Sequence, residues 1–248
     1  MRINTFIAGI AATAAVAFAG PAFADSIVFN AGDIGKSVTL DYNGFVGSNT
    51  PGNTIDGLTG STTFTLTGVS GNDYSFDYAV ANTTSAPVTD SRLSGFAFDT
   101  DPTISGATST GAFAYTTLNA NYPNGIGTVD VCFKDASTNS CAGGANGGLF
   151  AGESGTGAFT LSFSSPVSAL TLSNFFVRYQ SITGVPGVGS ASGAGTISSS
   201  TTGGTTTTTS STSGGTPVPE PGMIGLFGAG LIGLAFTRRR QTLRAATA

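Results

Sequence analysis

The chain has 248 residues, contains no histidine or tryptophan, and only 9% of its residues are charged. Without histidine, Ser-His-Asp and Cys-His nucleophilic arrangements are excluded, as are histidine-ligated metal sites. Between Asp25 and Pro219 there are four basic and twelve acidic side chains, so this part carries a net charge of −8. We therefore expect no nucleic-acid partner, because phosphate binding needs a basic surface. The acidity fits solubility, with divalent cations as the alternative.

The N-terminal segment has the features of a secretory signal. Arg2 precedes an apolar run over residues 6–19, and Ala22-Phe23-Ala24 has the small-residue pattern of a cleavage site. We expect a Sec-type signal peptide over 1–24, cut between Ala24 and Asp25, with an uncleaved membrane anchor as the alternative. The mature chain would then leave the cytoplasm.

The next segments alternate apolar and polar residues with a period of two, which predicts strands with one buried face. Four segments are strongest: 61–67, 73–80, 157–163 and 168–182, with apolar positions at Phe64, Leu66, Tyr74, Phe76, Tyr78, Val80, Phe159, Leu161, Phe163, Leu170, Leu172, Phe175, Val177 and Tyr179. Weaker candidates are Ser26–Asn30, Ser37–Tyr42, Gly95–Asp99, Gly111–Thr116 and Thr128–Lys134.

About ten short strands with one apolar face each favour two sheets packed together. We predict an all-β domain over residues 25–182, an antiparallel β-sandwich that is jelly-roll-like. The many threonines and serines would then occupy its solvent face, where threonine keeps a high β-propensity.

Two cysteines, Cys132 and Cys141, lie nine residues apart in this domain. In an oxidising compartment such a pair predicts a disulfide that closes a local loop. A redox site would more usually be C-x-x-C, and a zinc site would need further cysteine or histidine ligands.

Carboxylate chemistry is the enzymatic alternative, because glycoside hydrolysis needs only two acids. Asp99 and Asp101 are the candidate pair, but they lie in a turn-rich "DTDP" stretch, and Glu153 lies in a glycine-rich loop. We expect no catalytic residues and no cofactor. Calcium bound by the Asp99/Asp101 and Asp73/Asp77 pairs is the alternative, although no EF-hand pattern is present.

Carbohydrate binding is the main alternative to a purely structural role, because β-sandwich modules stack sugars on exposed aromatic rings. Four tyrosines are candidates for such stacking: Tyr42, Tyr115, Tyr122 and Tyr179. The absence of tryptophan weighs against it.

Residues 183–216 contain glycine, serine and threonine without any charged or aromatic residue. This composition predicts a disordered linker, with an end-to-end distance of roughly 30 Å. Its hydroxyl density also makes O-glycosylation an alternative role.

The last segment, 217–248, combines three features. Pro219-Glu220-Pro221 precedes a run of apolar and glycine residues over 223–236, and Arg238, Arg239 and Arg240 follow. As a helix the run would be about 21 Å long, short for a hydrocarbon core of about 30 Å. We predict one short transmembrane helix, with the arginines on the cytoplasmic side.

This order resembles the PEP-CTERM sorting signal. The resemblance implies that exosortase, a membrane protease-transpeptidase, recognises and removes the tail, and that the helix contacts the membrane transiently; a permanent anchor is the alternative. Such proteins are typical of Gram-negative bacteria that make exopolysaccharide, and are sorted to the cell surface or extracellular matrix.

The stretches "FAFDTDP", "VDVCF" and "CAGGANGG" resemble the cysteine-pair subset of these proteins, called the cistern family. We therefore expect an exported, non-enzymatic surface or matrix protein of a biofilm, in contact with extracellular polysaccharide, or alternatively a carbohydrate-binding module of that matrix.

Overall fold

The segments with period-two alternation form strands. The structure, a computed structural model, describes residues 25–49, 53–144 and 146–202. These residues form β1 Ser26–Asn30, β2 Ser37–Phe45, β3 Thr54–Ser70, β4 Asp73–Asn82, β5 Asp90–Asp101, β6 Gly106–Ser109, β7 Tyr115–Tyr122, β8 Gly127–Lys134, β9 Leu149–Phe150, β10 Ser154–Ser162, β11 Ala169–Thr183 and β12 Ser190–Thr201. Two short 3-10 turns cover Ala31–Asp33 and Gly111–Phe113, so the predicted strand at Gly111–Thr116 is wrong in its first half.

The strands form one antiparallel sheet in the order β6-β10-β4-β3-β2-β12-β11-β5-β8-β7. Beside that path, β1 pairs with β11 and β9 pairs with β5. The two ends of the path also meet, because the Thr116 hydroxyl on β7 donates to the Ala107 carbonyl on β6 at 3.1 Å. The sheet is therefore nearly closed, and the all-β antiparallel prediction is confirmed.

Aromatic rings from opposite parts of the sheet fill its interior. Phe64 on β3 contacts Phe98 on β5 and Phe175 on β11, with ring centroids 5.8 and 6.2 Å apart. Phe159 on β10 and Phe133 on β8 are 4.7 Å apart. The strands β10, β4 and β3 thus pack across the core against β11, β5 and β8, as in a sandwich. All fourteen apolar positions of the four strongest strand predictions are buried.

A β-bulge interrupts β11 where its sequence changes phase. The buried positions shift from Leu170 and Leu172 to Phe175 and Val177, and the pairing with β5 is irregular between Ser173 and Phe176. An extra residue in one strand reverses which side chains face the core. The bulge keeps both halves of this long strand buried on the same side.

The predicted linker is wrong over residues 190–201. These residues form β12, which pairs with β11 on one side and β2 on the other. The sheet therefore extends beyond the predicted domain boundary at 182. Residues 203–216 lie outside the described residues, so the rest of the linker prediction stays a prediction.

Large neighbouring side chains explain the small residues of β12. A Cβ added to Gly193 would lie 2.7 Å from a Val177 methyl, and one added to Gly195 would lie 2.7 Å from the Tyr42 ring. Glycine is thus required sterically in this strand, although it usually weakens a strand interior.

Candidate functional site

The predicted disulfide joins strand β8 to the loop that follows it. Cys132 and Cys141 are bonded, with Cα atoms 5.8 Å apart, and both are buried. They belong to a second apolar cluster with Ala97, Tyr122 and Val129, separate from the main core. The disulfide prediction is confirmed, and the loop from 135 to 148 is held against this side of the sheet.

Removing the disulfide should lower stability markedly. For a ring of about ten residues the chain-entropy model gives about 2.5 to 3 kcal/mol. We expect the Cys132→Ala/Cys141→Ala protein to lose about that much free energy of unfolding in urea titrations, relative to the oxidised wild type. A loss below about 1 kcal/mol would contradict a stabilising role for this bond.

A buried ion pair lies beneath the same loop. Arg92 on β5 and Asp135 after β8 form a salt bridge of 2.9 Å, with their side chains 3% and 2% exposed. The Arg92 guanidinium also donates to the Gly144 carbonyl at 2.6 Å, and to the carbonyl of Gly147 and the side chain of Gln180. Asp135 in turn accepts from the Gly144 backbone N–H at 2.7 Å. The ion pair and its hydrogen bonds therefore hold the loop after β8 at Gly144 and at Gly147. Sequence reasoning did not identify this role.

Burial also removes most positive charge from the surface of the described residues. The exposed fraction is 2% for Arg92, 1% for Lys134 and 7% for Arg178. Lys36 is the remaining basic residue of the described part of the chain, and it is partly exposed. Burial lowers the pKa of the Lys134 ammonium. Because nucleic-acid binding depends on exposed cations, the described domain offers no basic surface for it.

The two candidate acids on β5 differ in their surroundings. The Asp99 carboxylate accepts from the Asn174 amide at 2.8 Å and from the Asp130 backbone N–H at 3.0 Å. Burial raises the pKa of Asp99, while these two hydrogen bonds act in the opposite direction. Asp101 is exposed at the end of the strand. Asp99 thus joins β5 to β8 and to the β11 bulge, which is a structural use of its carboxylate.

The other acidic candidates are dispersed. Glu153 accepts from the Phe150 backbone N–H at 2.8 Å in the β9–β10 turn. Asp73 and Asp77 lie on the exposed side of β4. Among the described residues, no three acidic or cysteine side chains are grouped so that they could hold a metal ion.

Three of the four tyrosines considered for sugar stacking are inside the protein. Tyr42, Tyr122 and Tyr179 are at most 2% exposed, whereas Tyr115 is 47% exposed. The stacking interpretation is wrong for the three buried rings, because their faces cannot reach a ligand. The period-two pattern of β2 could have placed Tyr42 with Val38 and Leu40 on the inner face.

The residues predicted for export and sorting lie at or beyond the edges of the described residues. Asp25, the second residue of the predicted cleavage site, accepts from the Ile197 backbone N–H at 2.6 Å. The other residues predicted for export and sorting lie outside the described residues: Ala24, Pro219, Glu220, Pro221, Arg238, Arg239 and Arg240. Within the described part of the chain, no helix is long and apolar enough to cross a membrane.

Comparison with protein families identifies the tail. A family model matches residues 217–240, which include the proline-glutamate-proline tripeptide, the apolar run and the three arginines. The chain carries a PEP-CTERM protein-sorting motif. This motif implies exosortase as the processing partner, and export across the inner membrane to the cell surface of a Gram-negative bacterium. Curated proteins and solved structures give no match to the chain.

Proposed function

We propose that this PEP-CTERM protein is a non-enzymatic component of the cell surface or extracellular matrix, associated there with exopolysaccharide. The sorting motif at 217–240 is the observation that carries the proposal. Exosortase would remove the tail after export, so that the short apolar run holds the chain at the membrane only transiently. The β-domain would then be displayed at the cell surface or in the matrix, where it would contact the exopolysaccharide.

The composition and geometry of the domain support a role without catalysis. The chain contains no histidine, and the Asp99 carboxylate is engaged by Asn174 and by the backbone of Asp130. A catalytic acid pair needs carboxyl groups free to reach the substrate on both sides of a glycosidic bond. The arrangement around Asp99 favours a structural role for this acid.

A carbohydrate-binding module is the second candidate. The observation that favours it is the outer face of β12, β2, β3, β4 and β10, which consists largely of threonine and serine. Hydroxyl groups both donate and accept hydrogen bonds, as the hydroxyls of sugars do.

Deleting residues 217–240 tests the sorting role in the native host. We expect the protein expressed from the full sequence to reach the cell surface, and the deletion variant to be absent from it because it lacks the exosortase recognition segment. The matched control deletes 241–248, which lies beyond the matched motif, and should keep the surface location. Unchanged surface labelling of the 217–240 deletion would overturn the sorting role. Mass spectrometry of the mature C-terminal peptide separates tail removal from permanent anchoring.

A further inference from the structure

The outer side of five adjacent strands forms a surface of unusual composition. Three rows of residues cross β12, β2, β3, β4 and β10 in register, and none of these residues is buried. The rows are Ser199-Thr39-Thr63-Ala79-Thr156, Thr201-Ser37-Thr65-Asp77-Ala158 and Thr196-Asp41-Ser61-Ala81-Ser154. We call these fifteen residues the hydroxyl face, because ten of them are serine or threonine. The face contains no aromatic and no basic side chain.

Hydrogen bonds between neighbouring strands fix several of these hydroxyls. The Ser37 and Thr65 hydroxyl oxygens are 2.7 Å apart, and those of Thr39 and Thr63 are 2.9 Å apart. Threonine also has a restricted χ1 angle, so little rotamer freedom remains. Each hydroxyl has one proton and two lone pairs, and therefore retains hydrogen-bonding capacity toward solvent after its cross-strand bond. The face presents a preorganised array, which lowers the entropy lost when a ligand binds.

A groove lies over β3, β4 and β10 within the hydroxyl face. Its lining residues are Thr63, Thr65, Asp77, Tyr78, Ala79, Thr156 and Gly157. The Ala79 methyl lies in register between Thr63 and Thr156, whose side chains are larger. A small residue between larger ones forms the floor of the groove, and the Asp77 carboxylate provides a strong acceptor beside it.

The charge of the face restricts the ligand. Asp41 and Asp77 are its charged residues, so an anionic polymer would be repelled while a neutral polyol could donate hydrogen bonds to both carboxylates. Five strands span about 20 Å at a spacing of about 4.8 Å, room for several sugar units of an extended chain. We propose that the hydroxyl face binds a neutral polysaccharide, with the chain lying in the groove over Ala79. This inference rests on the proposed matrix function and names the surface through which it would act.

A binding assay with the detergent-purified full chain tests this inference. The immobilised polymers are dextran and cellulose, which are neutral, and alginate, which is anionic. We expect retention on at least one neutral polymer and none on alginate. The double variant Thr63→Val/Thr65→Val removes two hydroxyls of the face while keeping residues of high β-propensity in β3. It should weaken binding roughly tenfold or more, because the hydrogen bonds of these hydroxyls to the ligand are lost. Ala79→Gln should weaken it at least as much by filling the groove.

Thr171→Val is the matched control, since Thr171 is a partly exposed threonine of β11, outside the hydroxyl face. It should bind like wild type, and urea unfolding should show that all variants remain folded. No binding to either neutral polymer, equal binding by all variants, or binding to alginate alone would overturn the inference. Surface location of the full chain is measured separately, so a failure of polysaccharide binding is distinguishable from a failure of sorting.

Discussion

Asp135→Asn should lower the free energy of unfolding by about 3 to 5 kcal/mol, the range for removing one partner of a buried ion pair. The substitution leaves the Arg92 guanidinium buried with neutral oxygens of Gly144, Gly147 and Gln180 as its remaining partners. Domains of this size are commonly stable by about 5 to 15 kcal/mol, so the loss would be a large fraction of the total. Urea unfolding followed by tyrosine fluorescence measures it.

The Asp33–Lys36 pair provides the matched control. Its atoms are 3.5 Å apart and its side chains are 28% and 17% exposed. Asp33→Asn should therefore cost at most about 1 kcal/mol, because partly solvated pairs contribute little. Equal losses for Asp33→Asn and Asp135→Asn would show that burial does not control the strength of the Arg92–Asp135 pair.

Strand periodicity predicted much of the fold because it depends on local spacing. Phe64, Phe76 and Phe159 all lie on the inner face, as their alternation indicated. The phase change between Leu172 and Phe175 was visible in the sequence, and the structure accounts for it by a bulge. These features require only that one face of each strand be apolar.

Features that depend on contacts between distant segments could not be predicted in this way. Arg92 and Asp135 are separated by 43 residues, and nothing local indicates that their charges are buried together. The hydroxyl face likewise depends on the register of five strands, although its threonines were expected on the solvent side. The sorting motif was recognisable because its three parts are contiguous in sequence.

The strand β12 shows how tertiary packing overrides composition. Its glycine and serine residues lack the apolar alternation that predicts a strand, so the segment resembled a linker. In the structure, Val177, Tyr179, Tyr42 and Phe175 supply the apolar volume around Gly193 and Gly195. A strand can thus be central in a sheet and carry almost no hydrophobic signal of its own.

A chain of residues 25–182, ending at the boundary predicted from sequence, should therefore fail to fold cooperatively. Without β12, the strands β2 and β11 lose their partner on one edge and leave backbone N–H and C=O groups unpaired. Tyr42 and Tyr179, now at most 2% exposed, would also lose the residues that cover them. We expect weak near-ultraviolet circular dichroism and no sharp urea transition for this chain.

The matched chain, residues 25–202, keeps every strand of the described sheet together with its partners. It should unfold in one sharp urea transition with the near-ultraviolet spectrum of a packed core. Because the two chains differ only in residues 183–202, the comparison isolates β12 and the hairpin that leads to it. A cooperative transition of the 25–182 chain at the same urea midpoint would show that β12 is peripheral to folding, contrary to its position between β2 and β11.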